Sequence, residues 1–229
     1  MRQLYFRVFR LTWGLLLFAL GIVITINAQI GYAPWDVFHV GLAKTTGISI
    51  GAVAIIVGLI VGLISILLGE KVGFGSILNM VLIGVFLDMI LWFNIIPIAK
   101  SLFWGIIMLI AGLFVIALAS YFYIGSALGA GPRDSLMLAL ARKTGFPIGL
   151  CRGIIEFLAV LIGWSLGGMV GIGTVLAAFT IGFCVQITFD LLKFDATKVK
   201  HETIDHTYKM LLRNKKQMHF EEKEVLQNE

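Results

Sequence analysis

Of 229 residues, 59% are hydrophobic and only 14% are charged, well below the charged share of about 25% in an ordinary soluble domain. With a mean hydropathy of +0.97, this composition excludes a soluble globular domain and predicts an integral membrane protein. The formal net charge of +5 does not argue for nucleic acid, because the basic residues flank apolar runs, where lipid headgroups and topology account for them.

The chain opens with Arg2, Arg7 and Arg10 ahead of an apolar run that lacks a small-residue cleavage site, which reads as an uncleaved first span. Six segments reach the length of about 20 residues needed to cross the hydrocarbon core: residues 9–29, 48–68, 72–92, 102–123, 148–166 and 170–192. Three fall in each half, so the chain divides into a first membrane repeat (1–100), a second (101–193) and a charged tail (194–229). Arg2, Arg7, Arg10, Lys71, Arg133, Arg142 and Lys143 collect on one side, against Lys44 and Lys100 on the other. By the positive-inside rule both termini are then cytoplasmic.

The two halves resemble each other at a spacing of about 98 residues, a duplication typical of membrane transport scaffolds. Gly31-Tyr-Ala-Pro34-Trp-Asp36 realigns on Gly129-Ala-Gly-Pro132-Arg-Asp134, and Thr46-Gly47 on Thr144-Gly145. Because each half holds an odd number of spans, the second enters the bilayer from the opposite side and the repeats are inverted. The fold class is therefore an all-α polytopic membrane protein: six transmembrane helices in two inverted three-helix repeats, each with a short Gly/Pro-headed connector helix.

Each connector begins at Pro34 or Pro132 with an aspartate two residues later, Asp36 or Asp134. Proline lacks the N–H that a first helical position would orphan, and the carboxylate opposes the positive end of the helix dipole. A helix of two to three turns, about 15 Å long, is expected in each. Two readings stand: a re-entrant half-helix that dips toward the midplane beside a shared cavity, or a surface helix in the headgroup plane.

Glu156 falls about 12 Å into the fifth span by helical rise, where a carboxylate must be paired, hydrated or protonated. Arg152, four residues earlier on the same face, is its expected partner. In the repeat these two align with Ala54 and Gly58, so the scaffold can be built without them and they read as added chemistry. Asp88 lies within two turns of the outer end of the third span and reads as an outer-vestibule residue or a solvated interfacial acid. His39, one turn after Asp36, is a candidate proton-responsive partner. Cys151 and Cys184 sit in apolar runs without metal or disulfide spacing and read as packing residues.

The first connector, Gly31-Tyr-Ala-Pro34-Trp35-Asp36-Val-Phe-His39-Val-Gly41-Leu, with the following Thr46-Gly47-Ile-Ser-Ile-Gly51, resembles the YczE/YyaS/YitT family of bacterial integral membrane proteins. The resemblance implies a compact protein of about six spans in the bacterial inner membrane and supplies no catalytic residues.

No P-loop, Rossmann fingerprint or hydrolase elbow is visible, so neither an enzyme nor a cofactor is expected. The sequence reads as a small secondary transporter, an exporter of an unidentified small solute, working by alternating access at the interface of the inverted repeats. Its candidate substrate or ion-binding residues are Glu156, Arg152, Asp36, Asp134, Pro34, Pro132, His39 and Asp88. Two alternatives are a membrane regulatory or scaffold protein acting on a partner and a lipid-handling protein. Membrane lipids are expected partners and homo-oligomer formation is left open. In the tail, Ile204, Tyr208, Leu211 and Leu212 at helical spacing among basic residues read as an amphipathic cytoplasmic helix.

Overall fold

The computed structural model of the protein describes residues 2–199. Among these, eight α-helices follow one another: α1 (Arg2–Asn27), α2 (Pro34–Thr46), α3 (Ile50–Leu67), α4 (Phe74–Phe93), α5 (Leu102–Gly125), α6 (Pro132–Thr144), α7 (Ile148–Ser165) and α8 (Ile172–Leu191). Six are long and apolar enough to cross a membrane, all but α2 and α6. The chain is thus a multi-pass, all-α membrane protein, and Trp92, Trp104 and Trp164 stand exposed near the ends of long helices, where amphipathic rings favour the bilayer interface. The amphipathic tail helix expected from Ile204 to Leu212 lies outside the described residues.

The duplication is visible in the backbone. The bounds of α6, α7 and α8 each lie 98 positions after those of α2, α3 and α4, at both ends. Gly47 and Gly145 both adopt φ 74° and cap α2 and α6 through hydrogen bonds to the Ala43 and Ala141 carbonyls, a left-handed conformation that suits glycine. Because these glycines, and not the last apolar residues, end the connector helices, each runs 13 residues, or about 20 Å, a turn longer than the sequence suggested.

Packing decides between the two readings of the connectors. In α2, Asp36, Val37, His39, Val40 and Ala43 are all buried, so this helix lies within the bundle and not on its surface. α6 is less deeply set, with Pro132, Ser135, Met137 and Ala139 buried. Each connector helix rests on the opposite half, α2 against α7 and α6 against α3. Gly163 allows the first of these contacts, since a methyl there would fall 2.5 Å from the Phe38 backbone. The unwound segments are tied in the same crosswise manner: Gly173 N–H donates to the Ile30 carbonyl and Gly75 N–H to the Leu128 carbonyl, each at 2.7 Å.

α1 and α5 run antiparallel through the centre. Arg7 Nε donates to the Ser126 carbonyl at 2.8 Å near one end, and Gly21 faces Gly112 further along. Residues Ala19, Ile22, Val23 and Ile26 of α1 form a core with Val37 and Val40 of α2 and Leu87 and Ile90 of α4.

The halves differ in one respect. α3 packs on α4 through Gly51 and Gly84, where a methyl on either would strike the other's carbonyl oxygen. The equivalent glycines of α7 and α8, Gly149 and Gly182, have nothing within 4 Å of a Cβ position. Among the described residues, α7 and α8 share no interface comparable with that of α3 and α4.

Candidate functional site

Proline at the first helical position makes each connector start abruptly. Neither Ala33 nor Gly131, the residues before the prolines, supplies a side-chain cap, so the backbone N–H groups of the first turn depend on local carbonyls, as in Asp36 N–H to Ala33 O at 2.8 Å. The crosswise packing brings the two helix starts to the middle of the bundle, where they line two adjoining cavities of about 170 and 130 Å³. Both cavities share Phe18, Ile22, Trp35, Arg133, Arg152 and Glu156. The larger adds Asn79, Tyr123, Pro132 and Asp134, and the smaller adds Pro34, Asp36 and Ala177.

At the junction the Arg133 guanidinium lies 4.5 Å over the Trp35 ring, a cation–π contact strengthened where water is scarce. Its Nη2 stands 3.4 Å from Nε2 of buried His39. On its other side the imidazole has Nδ1 3.9 Å from the Asp36 carboxylate. The guanidinium of α6 thereby joins the starts of both connector helices.

The expected i,i+4 pair forms: Arg152 Nε donates to Glu156 Oε1 at 2.8 Å, with the Arg152 side chain 50% exposed and that of Glu156 21%. Across the cavity Tyr123 is 5% exposed, and its hydroxyl has no hydrogen-bond partner. A Cβ at Gly131 would lie 3.2 Å from that hydroxyl, which puts the phenol oxygen at the start of α6.

Of the residues singled out in the sequence, Pro34, Asp36, Pro132, Asp134, Arg152 and Glu156 line the cavities, and His39 lies directly behind them. Asp88 stands apart. Its carboxylate accepts from Ser49 Oγ at 2.5 Å and from Gly51 N–H at 2.7 Å, capping the start of α3, and it lines a separate open pocket with Met89, Leu91 and Trp92. Arg133, counted in the sequence among the charges of the cytoplasmic loops, instead points its guanidinium into the cavity.

Trp35, Asn79 and Tyr123 were missed. A signal existed: Trp35 and Arg133, Thr25 and Tyr123, and Asn79 and Ala177 are equivalent positions in the two halves that differ in polarity, as Arg152 and Glu156 differ from Ala54 and Gly58.

Chemically, the arrangement offers aromatic faces, two guanidiniums and three carboxylates around a small space. Among the described residues, no group of three or more His, Cys, Asp or Glu is placed to hold a metal ion. Cys151 and Cys184 are both free and buried.

A model of a family of unknown function, DUF6198, matches residues 5–190. The chain belongs to the DUF6198 family. Similar proteins include the "Uncharacterized membrane protein YczE" of Bacillus subtilis (strain 168), 39% identical over 178 residues that cover 76% of this chain and 81% of the relative. A Haemophilus influenzae protein is 32% identical over 79% of this chain and 84% of its own length. The B. subtilis protein YyaS is 25% identical over 79% of this chain and 90% of its own length. The YczE and YyaS names within the resemblance read from the sequence are thereby supported, while none of these three relatives carries the YitT name. No solved structure matches the chain.

Proposed function

We propose that this DUF6198 protein is a small secondary transporter of the cytoplasmic membrane, an exporter of a small solute, in which two inverted repeats alternate around the central cavity with both termini cytoplasmic. One observation carries the reading. The same helix pair is closed through Gly51 and Gly84 in the first half and open at Gly149 and Gly182 in the second, so one unit is held in two conformations. Glycine at 149 and 182 has no packing use while the helices stand apart, but it is what a close approach requires. Exchange of the two conformations would part Gly51 from Gly84, bring Gly149 to Gly182, and move access to the cavity from one face to the other.

With α7 starting on the cytoplasmic side, this reading makes the arrangement with α7 and α8 apart the inward-open one. Glu156 is the group proposed to couple solute to protons, with Arg152 tuning it. Oxidation of a Gly149→Cys/Gly182→Cys variant in membrane vesicles tests the exchange: a cross-link is expected, and its absence under every solute and pH condition would refute it. In liposomes, proton-dependent flux is expected to fall in Glu156→Gln, and flux unchanged by that substitution would remove Glu156 from the coupling role.

A second reading has its own observation. Because α7 and α8 stand apart beside the half-exposed Arg152, a lipid headgroup could reach the cavity sideways, making the protein a lipid-handling one. Movement of a fluorescent phospholipid between leaflets, with no flux of soluble solutes, would favour it. The regulatory alternative acts through the tail, so deletion of residues 198–229 should abolish the activity of a regulator and leave that of a transporter.

A further inference from the structure

On the outside of the bundle, α1 and α5 form a groove of about 410 Å³ lined by Phe6, Phe9, Arg10, Trp13, Tyr121 and Phe122. None of these residues lines the central cavities. Phe6, Phe9 and Trp13 follow at helical spacing on one face of α1 and are 67%, 68% and 47% exposed. Five aromatic rings thus share a groove with one guanidinium.

Arg10 lies where a charge needs a partner. About 20 residues cross the hydrocarbon core, so a count back from Asn27, the end of α1, puts its edge near Val8 and Arg10 about 3 Å inside it. Arg10 Nη2 donates to the Tyr121 carbonyl at 3.4 Å, and its guanidinium carbon stands 4.7 Å from the Tyr121 ring centre and 6.0 Å from that of Phe122. Among the described residues no carboxylate pairs with it. A guanidinium offers five N–H donors, and one long carbonyl contact engages few of them.

The seat is shaped to this side chain. Gly125 makes room for it, since a Cβ there would fall 2.2 Å from Arg10 Nη2. Tyr121 is braced by Phe194, the rings meeting edge-on at 5.0 Å. Across the duplication Arg10 corresponds to Met108 and Gly125 to Asn27, so the same helix pair is assembled at its other end without a guanidinium.

We propose that the groove binds one anionic phospholipid, its phosphate on the Arg10 guanidinium and an acyl chain along Phe6, Phe9 and Trp13. The planar fork of arginine takes phosphate oxygens two at a time, and a basic residue at the membrane surface attracts anionic lipid. No acidic side chain is among the lining residues to receive the ammonium group of a zwitterionic headgroup, which selects an anionic one. The site is separate from the sideways route between α7 and α8, and it stands whether or not the protein transports.

Native mass spectrometry of the full-length protein in detergent tests this, with dioleoylphosphatidylglycerol, dioleoylphosphatidylcholine and inorganic phosphate offered at equal concentrations. Retention of one phosphatidylglycerol is expected, about fivefold above that of phosphatidylcholine. Arg10→Gln should lower it about fivefold, while Lys71→Gln, the same loss of charge at an exposed lysine, should leave it unchanged. Equal retention of the two lipids, equal losses in the two variants, or binding of inorganic phosphate without lipid would overturn the proposal. If Arg10→Gln does not fold, Arg10→Lys decides: it keeps the charge and loses the fork, so phosphatidylglycerol retention should drop about twofold, and unchanged retention would overturn the site.

Discussion

Arg133 stacks on Trp35, with its guanidinium carbon 4.5 Å from the ring centre, although the two residues occupy the same place in the two copies of the duplicated unit. The contact joins the starts of α2 and α6 where the halves meet. Trp35→Ala is expected to lower stability by about 2 kcal/mol, the upper range for a desolvated cation–π contact, and Trp35→Phe by less. Arg133→Lys should not substitute fully, because a planar guanidinium stacks on a ring as an ammonium does not. Unfolding midpoints of the purified variants in detergent measure each effect.

Asp88 holds the start of α3 through Ser49 and Gly51. Losing both charge-assisted bonds in Asp88→Ala should cost about 2 kcal/mol. Asp88→Gln should cost less, since Gln186 occupies the equivalent position in α8. Neither change should alter proton-dependent flux if Asp88 only caps α3, so paired thermal unfolding and liposome flux will separate a capping role from a vestibule role.

The closed and open glycine pairs predict unequal responses to one substitution. Gly51→Val forces a side chain against the Gly84 carbonyl and the Asp88 carboxylate and should destabilise by about 3 kcal/mol, the usual scale of overpacking. Gly149→Val meets open space and should leave stability within about 0.5 kcal/mol, as surface changes do. If the halves exchange conformations, the same valine should block closure of α7 on α8 and abolish flux.

Thr46 and Thr144 are equivalent, exposed residues at the ends of α2 and α6. With Cys151 and Cys184 replaced by alanine, cysteines introduced at positions 46 and 144 should react with a membrane-impermeant maleimide from opposite faces of the membrane. Labelling of both from one face would remove the inverted arrangement.

Much of this was legible in the sequence because it is local. Proline starts and glycine stops bracket the connectors, and Arg152 and Glu156 meet because four residues make about one helical turn. Non-local features were not legible. That Asp88 caps α3 depends on the register of α3 against α4, and nothing within residues 49–51 announces it. The Trp35–Arg133 stack was hidden for a related reason: an arginine in a connector satisfies the topology rule equally well in a loop or in a cavity, and only the meeting of two helix starts distinguishes them. The repeat held part of the missing information, since Trp35 and Arg133, Asn79 and Ala177, and Arg152 and Ala54 are pairs whose copies disagree in polarity and that line the cavities.

The crosswise seating of the connectors has a consequence for the chain as a covalent object. α2 is bedded on α7 and α6 on α3, so a fragment ending between α4 and α5 carries a connector helix stripped of its largest packing surface, and so does its complement. Cutting the chain there should yield two pieces that are each degraded when made singly and that assemble when made together, the linkage between them serving to ensure one copy of each and not to create the fold.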